Sequence, residues 1–108
     1  MKGAVNSLAM QLAVDFGPGI RVNGVVVGVT TGTPNADANL AAGGRVAQLW
    51  QEAILTRFAH ADDVAAACTF LASEDSGATT GSFVYTDEGL ACKVALPDLG
   101  RLRRHGDD

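Results

Sequence analysis

The sequence predicts an α/β fold built on parallel strands, with elements in the order helix, strand, lid helix, helix, strand. Three observations predict it. Residues 5–16 repeat apolar side chains at helical spacing. Ile20–Val27 is a β-branched run of the kind found in parallel sheets, covered on both faces. A helical pattern from Val64 to Leu71 separates that run from a second strand pattern at Ser82–Thr86. Strand, helix, strand in that order is a right-handed βαβ unit. Two parallel strands leave both edges of a sheet open, and parallel sheets need neighbours. The expectation is therefore a partial doubly wound fold, with its amino-terminal strands lying before Met1.

Each element has its own local signal. In the first helix Val5, Leu8, Ala9, Leu12, Ala13 and Phe16 form one apolar face, and Gly17-Pro18-Gly19 stops it. Gly28 closes the first strand, and the Thr-, Gly-, Pro- and Asn-rich stretch from Val29 to Asn39 reads as a loop. Leu40–Leu55 reads as a lid helix with Val46, Leu49, Trp50, Ala53 and Ile54 along one stripe, its start weakened by Gly43-Gly44. Asp62-Asp63 opens the next helix, since acidic side chains suit its positive end, and either could cap it. Val64, Ala67, Cys68 and Leu71 are its expected buried stripe. Asp87-Glu88-Gly89 ends the last strand. Residues 1–90 read as one unit. Residues 91–108, with Pro97 and Gly100 and no strong period, read as a tail.

Composition narrows the function classes. The 108 residues suffice for one domain, and 47% hydrophobic content allows a packed core. Eight Lys and Arg against twelve Asp and Glu give a net charge of −4, which argues against a nucleic-acid partner. Arg101, Arg103 and Arg104 read as a solvated tail cluster. Cys68 and Cys92 lie far apart without metal-ligand spacing, so no metal site is expected and both read as reduced thiols. With no signal peptide and no apolar run of membrane-spanning length, the expectation is a cytoplasmic chain with no membrane partner.

Three stretches in register carry a family resemblance. Lys2-Gly3-Ala4-Val5 looks like the end of a Tyr-x-x-x-Lys motif. Ile20-Arg21-Val22-Asn23-Gly24-Val25 looks like the strand before a Pro-Gly turn. The third stretch runs from Arg57-Phe58 through Asp62-Asp63-Val64-Ala65, Phe70-Leu71-Ala72-Ser73 and Thr80-Gly81 to Tyr85-Thr86-Asp87-Glu88-Gly89. Together they resemble the carboxy-terminal portion of the short-chain dehydrogenase/reductase family over residues 2 to about 90. The resemblance implies a Rossmann-like doubly wound fold and hydride transfer between NAD or NADP and a small-molecule carbonyl or alcohol.

By position, Lys2 matches the family's catalytic and ribose-contacting Lys, whose charge favours the phenolate of the catalytic Tyr. That Tyr would fall four residues before Lys2, ahead of Met1. The catalytic Ser and the glycine-rich turn are likewise not in this sequence. Tyr85, the only Tyr, reads as a strand residue. Gly28, Val29, Thr31 and Thr33 match the turn that approaches the nicotinamide and the phosphates, although a plain strand-ending turn is the alternative for Gly28. Two departures stand out: Val27 replaces the usual Pro, and the Thr expected at about Gly32 appears as Thr31 or Thr33. Glu88 stands where the family usually has Gly. Leu49 and Trp50 could line a substrate pocket or be core.

These readings leave two function classes. One is a truncated oxidoreductase that cannot turn over alone. The other is a non-catalytic interaction module that forms a homo-oligomer or co-assembles with a full-length relative.

Overall fold

A computed structural model of the protein describes residues 2–44, 53–55 and 57–95. Helix α1 spans Lys2–Phe16, β1 Gly24–Val27, β2 Thr30–Thr31 and α2 Pro34–Ala42. β3 spans Ala59–His60, α3 Ala61–Ala72, β4 Phe83–Thr86 and α4 Leu90–Ala95. The expected α/β arrangement with parallel strands is present. β1 pairs with β4 in parallel, Gly24 opposite Phe83 through Val27 opposite Thr86, and α3 forms the crossover between them. A second parallel pair joins β2 to β3, with Thr30 opposite Ala59 and Thr31 opposite His60. No sequence pattern marks this pair, because each strand is two residues long.

The strand predicted from Ile20 begins at Gly24 instead. Ahead of it residues 20–23 are not part of the strand, and beside a backbone bond from Gly81 N to Val22 O at 2.8 Å they are held by side chains. Arg21 donates to the Ser73 carbonyl at 3.0 Å, to the Ser76 carbonyl and hydroxyl at 2.9 Å, and to the Thr79 carbonyl at 3.2 Å. Asn23 donates to Thr79 O at 2.9 Å and accepts from Ser82 N at 3.1 Å. This guanidinium and amide satisfy the loop between α3 and β4, whose carbonyls point inward and have no ladder partner. β1 is half-buried and Val27 exposed, not covered on both faces as its composition suggested.

The middle of the chain departs furthest from expectation. A helix forms at Pro34–Ala42, inside the stretch read as loop. Thr33 Oγ1 accepts from Ala36 N at 3.3 Å as the cap, and Pro34 occupies the first helical position, where an N–H is not needed. Gly43 and Gly44, both at positive φ, end it. Of the helix predicted from Leu40 to Leu55, residues 40–42 belong to α2, Gly43, Gly44 and Ala53–Leu55 are not helical, and residues 45–52 lie outside the described residues. Leu49 and Trp50 lie outside the described residues.

Helix α3 starts at Ala61, with His60 rather than either Asp as the cap. His60 Nδ1 accepts from Asp62 N at 3.1 Å, while Asp63 Oδ2 accepts from His60 N at 2.8 Å. The pair is a capping box in which Asp63 supplies the reciprocal bond. Its expected buried stripe is only half-buried at Val64, Ala67 and Leu71, and Cys68 is exposed. Leu90–Ala95, expected to begin the tail, is helical because Asp87 Oδ2 accepts from Ala91 N at 3.0 Å and Asp87 O from Leu90 N at 3.0 Å.

Among the described residues the buried apolar side chains are Ala13, Ala53, Phe58 and Ala59. α1 turns Ala13 inward, facing Gly81, while Val5, Leu8, Val14 and Phe16 stay exposed, Val14 at 76%. Of the expected apolar face, Val5, Leu8 and Phe16 are thus exposed, Ala9 and Leu12 half-buried and Ala13 buried; Val14 was not among its residues. Among the described residues no helix is long and apolar enough to cross a membrane.

Replacing Arg21 with Ala leaves the Ser73, Ser76 and Thr79 carbonyls without their charged donor. The expected loss is about 3 kcal/mol, read as a lowered urea midpoint; an unchanged midpoint would show that the loop holds itself.

Candidate functional site

The candidate turn comes directly after β1. Gly28 donates its N–H to Thr86 O at 3.1 Å, the last rung joining β1 to β4. A Cβ on Gly28 would lie 2.7 Å from Asp87 Cα and 2.9 Å from both Asp87 Cβ and Glu88 Oε2. Only a residue without a side chain lets the two strand ends approach this closely. Val29 links β1 to β2, and Thr31 lies in β2, donating from its hydroxyl to Ala59 O at 3.4 Å. Thr33 caps α2 and, as an acceptor there, keeps its own hydroxyl proton to donate. Thr30 donates to Gly28 O at 3.2 Å, and Asp37 Oδ1 accepts from Gly32 N at 3.1 Å.

The structure brings Gly28, Val29, Thr31 and Thr33 together at the carboxyl ends of β1 and β2. Lys2 opens α1, a separate element, and its side chain is outside the described residues.

The opposite wall is the turn after β4, which the sequence marked only as a strand end. Asp87 and Glu88 are buried, and Glu88 keeps just 4% of its surface exposed. Glu88 has φ of 58°, a left-handed conformation unfavourable for a side chain. Its carbonyl accepts from Ile54 N at 3.0 Å and Leu55 N at 3.3 Å, and its Oε1 accepts from Ala59 N at 2.6 Å. Oε2, pressed against Gly28, is buried and has no hydrogen-bond partner among the described residues. Desolvation, reinforced by the neighbouring Asp87 charge, raises the Glu88 pKa above the ordinary carboxyl value; the Ala59 N–H and Arg57 oppose the rise. The sequence signal for this residue was a non-Gly at a Gly position in the family. Its burial could not be inferred from that.

Nearby, Arg57 donates to Asp63 Oδ2 at 2.9 Å. That bond and the bond from His60 N hold Asp63 at about 2, below its usual 3.8. Glu88, Arg57 and Asp63 also line a shallow cavity of about 200 Å³ with Leu55, Tyr85 and Gly89. None of the predicted turn residues lines it, and Tyr85 is exposed there.

Comparison with known proteins decides the relationship. A family model described as enoyl-(acyl carrier protein) reductase matches residues 1–91. An oxidoreductase of the short-chain dehydrogenase/reductase family from Burkholderia thailandensis is 32% identical over 96% of this chain and 39% of its own, with TM-score 0.77. The chain belongs to the short-chain dehydrogenase/reductase family.

Other relatives carry a dinucleotide. A candidate 2-deoxy-D-gluconate 3-dehydrogenase from Agrobacterium tumefaciens, with bound NADP, is 28% identical over 85% of this chain and 37% of its own, with TM-score 0.78. A short-chain oxidoreductase from Pseudomonas aeruginosa PAO1, bound to NADPH and described as having an atypical catalytic center, is 33% identical over 82% and 36%, with TM-score 0.68. No curated protein matches the chain. Its parallel α/β arrangement corresponds to the Rossmann-like fold of this family, and the chain spans under two fifths of the length of these relatives.

Two substitutions probe this wall. Gly28→Ala forces β1 away from the β4 turn and is expected to cost about 2 kcal/mol by overpacking, seen as a lower melting temperature; equal melting temperatures would mean the turn yields freely. Glu88→Gln keeps the acceptor for Ala59 N but cannot ionise. A raised folded-state pKa contributes stability at low pH that is lost as pH rises, so the expected order is clear. Wild type and Glu88→Gln unfold alike below pH 4.5, and the Gln variant becomes the more stable as pH climbs above 4.5 through the raised value. A difference that does not change with pH would remove the assigned cause.

Proposed function

We propose that these residues form the carboxyl-terminal part of an NAD(P)-dependent oxidoreductase that moves a hydride between a carbonyl and an alcohol. The observation that carries this reading is the Gly28–Thr33 turn. It lies at the carboxyl ends of parallel strands, where dinucleotides bind in open α/β sheets, and it keeps backbone in place of side chain at Gly28.

These residues fit the nicotinamide side of a dinucleotide. Gly28 and Val29 give it backbone to approach, and Thr33 retains a hydroxyl donor. Thr31 fits less directly, because its hydroxyl is bonded to Ala59 O. Lys2 is assigned to the ribose and to tuning the acid, from its match to the family motif. A bound nicotinamide supplies or accepts the hydride, while a protein acid must give the carbonyl oxygen its proton. Tyr85, exposed on β4, has no place in that turn. The acid is therefore expected from outside these residues, and the choice between NAD and NADP with it.

The test is titration of NADPH with the purified chain, followed by cofactor fluorescence, beside an assay for carbonyl reduction. Weak saturable binding without turnover is expected. Absence of any binding would sink the turn assignment, and turnover at ordinary enzymatic rates would overturn the view that the acid is elsewhere.

The uncovered residues of α1 favour a second reading, a module that self-associates or co-assembles with a longer relative. Val5, Leu8, Val14 and Phe16 expose apolar surface of the kind that marks association faces. Sedimentation at rising concentration should then show a mass above 11.1 kDa, with Val14→Lys restoring the monomer. A monomer at every concentration would leave the first reading alone.

A further inference from the structure

One side chain enters the turn from another element. His60 lies opposite Thr31 across the β2–β3 ladder. Its Nδ1 accepts the Asp62 N–H, and an accepting ring nitrogen carries no proton. The neutral ring is therefore assigned the tautomer with its proton on Nε2. That nitrogen faces Gly32. A Cβ on Gly32, which has φ of 93°, would collide with His60 Nε2, Cδ2 and Cε1, so the ring fills the space a side chain at Gly32 would take. No described residue accepts from Nε2, and the side chain is 49% exposed.

The geometry points to His60 as a binding residue for a phosphate oxygen of the dinucleotide, through Nε2–H. This inference rests on the reading that the Gly28–Thr33 turn holds the dinucleotide. Within that turn the hydroxyls of Thr30 and Thr31 already donate to protein carbonyls, and Gly32 has no side chain. Thr33 keeps its hydroxyl donor at the end of the turn, and His60 supplies a second, neutral donor beside Gly32, where the turn has no side chain. The charged groups around the ring are Asp62, whose Oδ2 is 3.5 Å from Nδ1, Asp63, which is paired with Arg57, and Asp37 on the Gly32 amide. These carboxylates keep a loosely held anion away. The proposed phosphate is therefore one carried by a ligand anchored elsewhere along the turn, and the half-exposed ring leaves Nε2 open to it.

The experiment tracks the His60 ring nitrogens by NMR while the full chain is titrated with NADPH, nicotinamide mononucleotide, nicotinamide riboside and inorganic phosphate. The variants are His60→Ala and His60→Asn; Asn can still cap α3 but is too short to reach Gly32. The expected free state carries the proton on Nε2. The mononucleotide should shift that nitrogen, and the riboside, lacking phosphate, should not. His60→Asn should weaken the mononucleotide and NADPH about tenfold, as loss of one such bond does, while the riboside and the melting temperature stay near wild type.

If His60→Asn binds like wild type, or the riboside weakens equally, the ring is only a cap and a filler, and the inference falls while the turn assignment stands. If inorganic phosphate matches the mononucleotide, the site binds simple anions and the dinucleotide assignment of His60 falls. If wild type binds none of the nucleotides, the turn reading fails and this inference fails with it.

Discussion

The turn after β4 is the constraint that the rest of the fold leans on. Asp87 and Glu88 are buried there, and between them they bond three segments: the segment at Ile54–Leu55, β3 and the start of α4. Asp87 caps α4, and Glu88 gathers the segments ahead of α3. Gly28 must lack a side chain because this turn sits against it. A buried carboxylate at positive φ with one oxygen unpartnered among the described residues is costly. It persists because Ala59 N would otherwise be a buried donor without its acceptor, and because the Glu88 carbonyl also holds Ile54 N and Leu55 N.

The same turn relates the fold to the site. Dinucleotide sites in open α/β sheets lie beyond the carboxyl ends of the strands, and here those ends are welded by Gly28 and Thr86. β2 and β3 extend the shelf by two residues each and bring Thr31 beside His60. The described residues bury few apolar side chains beside this polar network, and α1 joins the body chiefly through Ala13. Among the described residues, position is set largely by hydrogen bonds that Arg21 and Asn23 donate and that Asp87 and Glu88 accept.

Much of the architecture is legible along the chain. β-branched and helix-period runs are local properties, so α1, β1, α3 and β4 are all anticipated, with their parallel order. The Gly28–Thr33 turn is legible as a family match. The strand start at Gly24 is not, because Arg21 and Asn23 bond to residues more than 50 positions away, which no window of sequence contains. The helix at Pro34 escapes for a different reason. Thr33-Pro34 is a valid helix entry, yet the surrounding Gly, Asn and Asp also spell a loop, and the composition outweighs the cap.

The sequence by itself determined the family and the α/β order, because apolar period and motif spacing are written along the chain. Tertiary structure alone decided that Glu88 is a buried clamp, that His60 rather than Asp62 or Asp63 caps α3, and that its ring fills the place beside Gly32. Each of those depends on a contact between residues 28 or more positions apart, or on which ring nitrogen a neighbouring amide selects. The Glu88 and Gly32 contacts exist only after the strands have paired, so no local pattern could carry them; the His60 cap is local, but Asp62 and Asp63 are equally good capping residues by type, and only the backbone geometry chooses among the three.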